Sequence, residues 1–362
     1  MQQLFAGAAS SHSFYSFVLL NLMSSFAQSL LIAVAFLCAA VQGRAQVARS
    51  NDSSKTVLTY SSDAFTPTSA GSFGREPVVK TDTADFILPF SRAGNLILIK
   101  AKADNIEGSF ILDTGAPGLI LNMTYFRDFP VTESGAGGQG GGITGTVADY
   151  GRTLVKKLSF GAVNYFKVEA DRINLGHIEN SKGIKIFGLL GVQLFKQFEM
   201  IIDYENSEIH LHHVTKRDEK HYRHSMLNDT SAYSTFPITL LDNKILTHGK
   251  VGNKKLTFLV DTGAESNVID SRLSEAVLDN VVITRRIVLN GAGNKKVDAL
   301  YGDMSNLTMG TRDMASMPVL VTNMEKMCAS YERCLDGMLG FDFLSMHKIG
   351  FNFVKRKMYI WK

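Results

Sequence analysis

Cysteine is scarce in this chain, with three residues in 362, at positions 38, 328 and 334. That excludes a dense disulfide framework as the source of stability, and a hydrophobic content of 45% points instead to packed cores. The length allows two ordinary domains. Neither sign of charge dominates: 38 Lys and Arg stand against 34 Asp and Glu, a net of +4. No basic cluster interleaves with aromatics, so nothing here implies nucleic acid as a partner. No Gly-Lys-Ser/Thr follows the glycine-rich stretch at 135–145, so it is not a phosphate loop. No His or second Cys pair lies at zinc-ligand spacing beside Cys328 and Cys334, which argues against a metal there.

Charge is almost missing from the first 45 residues, where Arg44 is the one charged side chain. Residues 30–41 (LLIAVAFLCAAV) form an apolar run shorter than the roughly 20 residues a spanning helix needs, and Gly43-Arg44-Ala45 is a small-x-small cleavage site. We read residues 1–45 as an export signal cut after Ala45. The expected location is exported: periplasmic, outer-envelope or secreted. No Lys or Arg precedes the run, so two further readings stand, a start at Met23 or an uncleaved anchor associating the protein with a membrane. Cys328 and Cys334 either close a small disulfide loop, as an exported protein permits, or remain two free thiols.

What is present in abundance is repetition. Residues 46–83 form a polar leader without a regular apolar period, and beyond them the chain states one pattern twice. FILPF (86–90), LILIKAKA (96–103) and GSFILDTGA (108–116) are answered by TFPITLL (235–241), ILTHGKV (245–251) and LTFLVDTGA (256–264). The offset between the two copies is 148 residues over these segments and 149 beyond them. FGLLGVQLF (187–195) is answered by DGMLGFDFL (336–344). Each copy then closes on a hairpin pattern, MIIDY-ENS-EIHLHH (200–213) and IGFNF-VKR-KMYIWK (349–362). A period this long is domain duplication. Short β-branched and aromatic runs dominate, with helical periodicity confined to stretches such as Val192 to Phe198, so the fold class is all-β in two homologous lobes. The boundaries are 84–213 for the first lobe, 214–231 for a charged linker and 232–362 for the second.

Each copy delivers an aspartate, Asp113 or Asp261, from the end of an apolar strand. A lone Asp-Thr-Gly is weak evidence, since Asp and Gly are ordinary turn residues. Burying a carboxylate behind an apolar strand is costly unless hydrogen bonds or a reaction compensate. Incurring that cost twice, in register, argues for use. These motifs resemble the aspartic peptidase superfamily, and the Asp-Thr-Gly-Ala form is similar to retropepsins and bacterial retropepsin-like proteins. The resemblance covers nearly all of 84–362 and implies two β-barrel-like lobes of the acid protease fold with the active site in the cleft between them.

It further implies that Leu189-Leu190-Gly191 and Met338-Leu339-Gly340 cross beneath the aspartate loops. Thr114 and Thr262 exchange hydrogen bonds between lobes, while Gly115 and Gly263 let amides approach the carboxylates. Ala116 and Ala264 stand where pepsins place Ser or Thr. Asp113 and Asp261 share one proton and activate water against a peptide bond, without metal or cofactor. The substrate is a peptide or protein, and one chain supplies both halves of a pseudo-dimeric site, so a monomer is expected.

The glycine-rich stretch, with Gly137, Gly138, Gly140, Gly141 and Gly142, lies where the family places its substrate flap; the competing reading is a surface loop. Asn290 to Asn294 is the corresponding turn of the second copy. His210, His212, His213, His221 and His224 cluster at the end of the first lobe, where alternating His on a strand edge is read as solvent-facing rather than metal-binding. Against the endopeptidase reading stands a catalytically idle scaffold that binds peptides or envelope partners. Pairing of each lobe with another chain is a third arrangement.

Overall fold

The leading strands of the two copies, Leu96–Ala103 and Lys244–Val251, bury the same positions: four consecutive residues, then every second one. Each strand therefore enters from the interior and emerges along a half-solvated sheet face. This pattern comes from a computed structural model that describes residues 56–59, 66–67, 76–131, 133–134, 140–142, 145–147, 151–215, 218, 224–290, 296–328 and 334–362. Among these residues no helix is long and apolar enough to cross a membrane.

In the first copy, Leu96–Ala103 pairs antiparallel with Ile106–Leu112, the strand that leads into Asp113. Gly188–Leu190 lies parallel to that strand and antiparallel to Leu119–Asn122. Leu119–Asn122 runs parallel to Val163–Ile173, which pairs with Gly151–Phe160, and Gly151–Phe160 returns to Leu96–Ala103. Six strands thus close a barrel. The second copy keeps the order Lys244–Val251, Lys254–Val260, Gly337–Leu339, Asn267–Asp270, Met317–Thr322. Its sheet stays open, because the chain turns at Asn306 in the left-handed region (φ 57). That turn splits one long strand into Lys296–Met304, paired with Met317–Thr322, and Leu307–Met309, paired with Lys244–Val251.

A third, six-stranded sheet belongs to both copies. Its order is Tyr233–Pro237, Lys357–Trp361, Ile349–Asn352, Phe198–Asp203, Glu208–His213, Asp85–Pro89. The two terminal hairpins meet at its centre, where Ile201 stands opposite Gly350. One apolar cluster accordingly draws on both copies, with Phe110, Phe195, Phe198, Phe258, Phe351 and Phe353 among its members.

The structure departs from the sequence reading in three places. Parts of the leader are not free: Thr56–Thr59 adds parallel to Ile287–Asn290, Thr66–Pro67 pairs with Gly140–Gly141, and Val78–Thr81 pairs with Val163–Phe166. An open sheet edge presents a row of unpaired N–H and C=O groups that an extended segment can take up. Gly176–Lys182 is a helix, closed by Gly183 in the left-handed region at φ 66. His212 is buried rather than solvent-facing, its Nδ1 lying 2.8 Å from Asp85 Oδ1 on the neighbouring strand. Among the described residues no group of three or more His, Cys, Asp or Glu is placed to hold a metal ion.

Asp203, at the end of a central strand of the shared sheet, is 2% exposed and takes the Lys348 ammonium at 2.6 Å and both Asn206 nitrogens at 3.1 and 3.0 Å. Burial alone would raise its pKa, but these partners outweigh burial and hold it at about 2. Since this lies below the unfolded value of about 3.9, the stabilisation is complete above roughly pH 4 and disappears as pH falls through the folded pKa. Asp203→Asn is expected to cost about 2 kcal/mol at neutral pH, and the gap to wild type should close between about pH 4 and 2 in denaturant unfolding followed against pH.

Candidate active site

Asp113 and Asp261 each follow an apolar strand directly, and each has its backbone N–H tied down by the strand that crosses it. Asp113 N donates to Leu190 O and Asp261 N to Leu339 O, both at 3.0 Å. The crossing strands need glycine where they pass, since a Cβ at Gly188 would lie 2.1 Å from Ile120 O and one at Gly337 would lie 2.6 Å from Val268 O.

The two threonines then lock the loops together. Thr114 N donates to Thr262 Oγ1 at 3.0 Å, and Thr262 N donates to Thr114 Oγ1 at 2.9 Å. Each hydroxyl donates onward across the lobes, Thr114 Oγ1 to Val260 O and Thr262 Oγ1 to Leu112 O, both at 2.8 Å. Every donor and acceptor in this buried square is used, and the square is two-fold symmetric.

The carboxyl groups meet above it. A Cβ on Gly115 would lie 2.4 Å from Asp261 Oδ2, and one on Gly263 would lie 2.6 Å from Asp113 Cγ. Each glycine is thus the space that the other lobe's carboxylate occupies. Asp113 Oδ1 accepts from Gly115 N at 2.8 Å and Ala116 N at 2.9 Å. Asp261 Oδ1 accepts from Gly263 N at 2.8 Å and Gly115 N at 3.1 Å. The aspartates are 7% and 1% exposed. Burial raises both pKa values, and the charge on Asp113 adds to the rise at Asp261. Two carboxyl groups buried this close cannot both ionise. Asp261 Oδ2 is buried without a hydrogen-bond partner among the described residues, and the pair is expected to hold one negative charge and one proton.

Ala116 and Ala264 are fully buried and offer no hydroxyl to either carboxylate. Of the glycine-rich stretch, Gly140–Gly142 is a strand paired with Gly145–Val147, above a hairpin base in which Glu133 and Ser134 pair with Arg152 and Gly151. Gly137 and Gly138 lie outside the described residues, as does His221. Asn290 ends the strand Val281–Asn290 and pairs with Lys296, placing a second hairpin in the equivalent position. Cys334 is disulfide-bonded; Cys328 ends the short helix Glu325–Cys328.

Two features escaped the sequence reading. Lys182 reaches Glu265 at 2.5 Å, joining the first copy's helix to the residue after the second Asp-Thr-Gly-Ala, with both side chains at most 13% exposed. Lys244, 1% exposed, lies at the start of the strand that flanks Asp261. The available signal was a residue-by-residue comparison of the copies, which sets Pro117 against Glu265 and Leu96 against Lys244.

Residues 247–343 match the Asp_protease_2 family, described as "Aspartyl protease", and this span holds Asp261-Thr262-Gly263 and the crossing Met338-Leu339-Gly340. No curated protein matches the chain. Among solved structures, the chain is similar to basic 7S globulin from soybean, at 10% identity and a TM-score of 0.42 over 78% of this chain and 95% of the other. Conglutin gamma from lupine seeds is similar at 11% identity and a TM-score of 0.42, with the same coverage. A retropepsin-like aspartic protease from Rickettsia conorii is similar at 16% identity and a TM-score of 0.25, over 38% of this chain and 95% of the other.

Thr114→Val and Thr262→Val should each leave buried groups of the other lobe unsatisfied, costing about 1–3 kcal/mol apiece. Because both act on one square, the double variant is expected to lose clearly less than the sum. A double-mutant cycle by denaturant unfolding checks this, and additive losses would contradict the square.

Proposed function

We propose that this protein is an aspartic endopeptidase that hydrolyses peptide bonds by water activation between Asp113 and Asp261. One observation carries the reading: two buried carboxyl groups from opposite copies meet, each occupying the space a Cβ on the other copy's glycine would need. A monoanionic carboxyl pair is both a base and an acid. The anionic member takes a proton from a water held at the pair while the protonated member gives its proton to the scissile carbonyl oxygen. The product of attack is a tetrahedral diol on the substrate, with no covalent bond to the protein. When the diol collapses, the proton taken from water passes to the leaving amine, and a diol hydroxyl returns its proton to the other carboxylate.

The family match over 247–343 supports the assignment for the second copy, and the repetition at an offset of 148 extends it to the first. The substrate class follows from the edges beside the site. Two hairpins, ending near Gly140–Gly142 and Asn290, already accept extended segments of this chain by backbone pairing. Extended peptides bind such edges through main-chain hydrogen bonds. One chain supplies both halves, so activity should require no second copy. We also assign the protein to an exported compartment, on the apolar run ending in Gly43-Arg44-Ala45 and on a disulfide at Cys334, which an oxidising environment maintains.

Asp113→Asn and Asp261→Asn should each abolish hydrolysis of an unfolded protein substrate while leaving circular dichroism unchanged, and the double variant should lose no more than either single one. A statine-type peptide should inhibit wild type, its hydroxyl standing for one oxygen of the diol. Substantial activity in either purified single variant would refute the shared site. A wild type that binds statine but cleaves nothing would favour the idle scaffold.

The missing hydroxyls at 116 and 264 set a pH expectation. A Ser hydroxyl donating to the anionic carboxylate would stabilise the charged form and lower its pKa, so the acidic limb of kcat/KM should move to lower pH in an Ala116→Ser, Ala264→Ser double variant. An unmoved limb in a folded, active variant would show that other contacts set the titration.

A further inference from the structure

Lys244 is the single buried lysine among the described residues. Its place is fixed by the turn before it, where Asp242 (φ 46) and Asn243 (φ 58) both take left-handed conformations and close the hairpin that pairs Leu241 with Lys244. The next residue, Ile245, pairs with Val260, so the same register sets Lys244 opposite Asp261. In the first copy Leu98 pairs with Ile111, and continuing that register sets Leu96 opposite Asp113. Leu96 is also 1% exposed. One slot beside the aspartates is therefore filled twice, by an aliphatic side chain in one lobe and by an ammonium in the other. Three carboxylates act on that ammonium: Asp242 in its own turn, then Asp113 and Asp261.

A lysine so deeply buried is costly without a charge to answer it. Burial pulls its pKa down and the three carboxylates pull it back, leaving it at about 8, so below neutrality it is a cation. On the other side, the charge of Lys244 lowers Asp113 against the effect of burial. The carboxyl pair is expected to carry one negative charge, and neither Ala116 nor Ala264 offers a hydroxyl to stabilise it.

We propose that Lys244 is a positioning residue of the aspartate pair, its buried ammonium stabilising the single negative charge that the pair carries. The use of that charge as a base rests on the peptidase reading; its stabilisation by Lys244 does not. A lysine serving only to close the Asp242 turn would affect stability and leave the carboxyl titration alone.

The test follows the carboxyl carbons of Asp113 and Asp261 by NMR in the full chain labelled at aspartate, with Asp113→Asn and Asp261→Asn for assignment. In Lys244→Met the first ionisation of the pair should rise by about one pH unit or more, the scale on which a neighbouring charge acts. An unmoved titration in folded Lys244→Met would overturn the proposal. If that variant does not fold, coupling is read from the other side, because linkage between two charges is reciprocal. Asp113→Asn should then lower the titration of the Lys244 amine from about 8, and an unchanged amine titration would equally overturn it. Where the wild type cleaves peptides, the acidic limb of kcat/KM should move to higher pH in Lys244→Met together with the carboxyl shift. Absence of cleavage by wild type with the carboxyl shift present would sink the peptidase reading and leave the assignment of Lys244 intact.

Discussion

Two carboxyl groups from distant parts of the chain are buried in contact, and the surrounding structure is organised around keeping them there. Such a pair is unstable in isolation, because burial and mutual repulsion both oppose the charge that function needs. The Thr114–Thr262 square is the interaction that makes it tolerable. By exchanging four hydrogen bonds through loops that precede and follow each aspartate, it fixes the distance between lobes at the one point where the carboxyl groups meet. Glycine at 115 and 263 is then a geometric necessity, and the crossing strands behind them hold each aspartate's own backbone.

Much of this was legible in the sequence because duplication doubles the signal. Asp113 and Asp261 stood out through matched apolar strands, matched glycines and matched closing hairpins, any one of which is commonplace alone. The all-β class followed from the same short β-branched runs. What escaped notice depends on pairings that residue patterns do not encode. His212 looked exposed because it alternates at the end of a strand, but the adjacent edge was taken up by Asp85–Pro89, which brought Asp85 against it. The leader showed no apolar period that would mark it for pairing, yet an open sheet edge presents unpaired backbone groups that an extended segment can take up. The Gly176–Lys182 helix is short and carries a single buried side chain, Ile178, too little for a period to show.

Lys244 is a different kind of omission. Nothing about a lysine near a turn marks it as buried; only its alignment with Leu96 and the register opposite Asp261 do so. The same applies to Glu265, whose ion pair with Lys182 has no equivalent at Pro117. Both are points where the copies differ, and a reading built on what the copies share passes over them.

The shared six-stranded sheet has a consequence for descent. Its central strands are equivalent parts of the two copies, and they pair about their own midpoint: Ile201 faces Gly350, its counterpart, while Met200 faces Phe351 and Ile202 faces Ile349. A contact in which each residue meets the partner of its own equivalent is self-complementary, the geometry by which two identical chains form a closed dimer. A half-length ancestor could have assembled through these same strands with a second copy of itself. Joining the halves in one polypeptide makes the association intramolecular. It also ends the rule that every change must appear on both sides, and only after that could one slot beside the aspartates hold leucine in one half and lysine in the other.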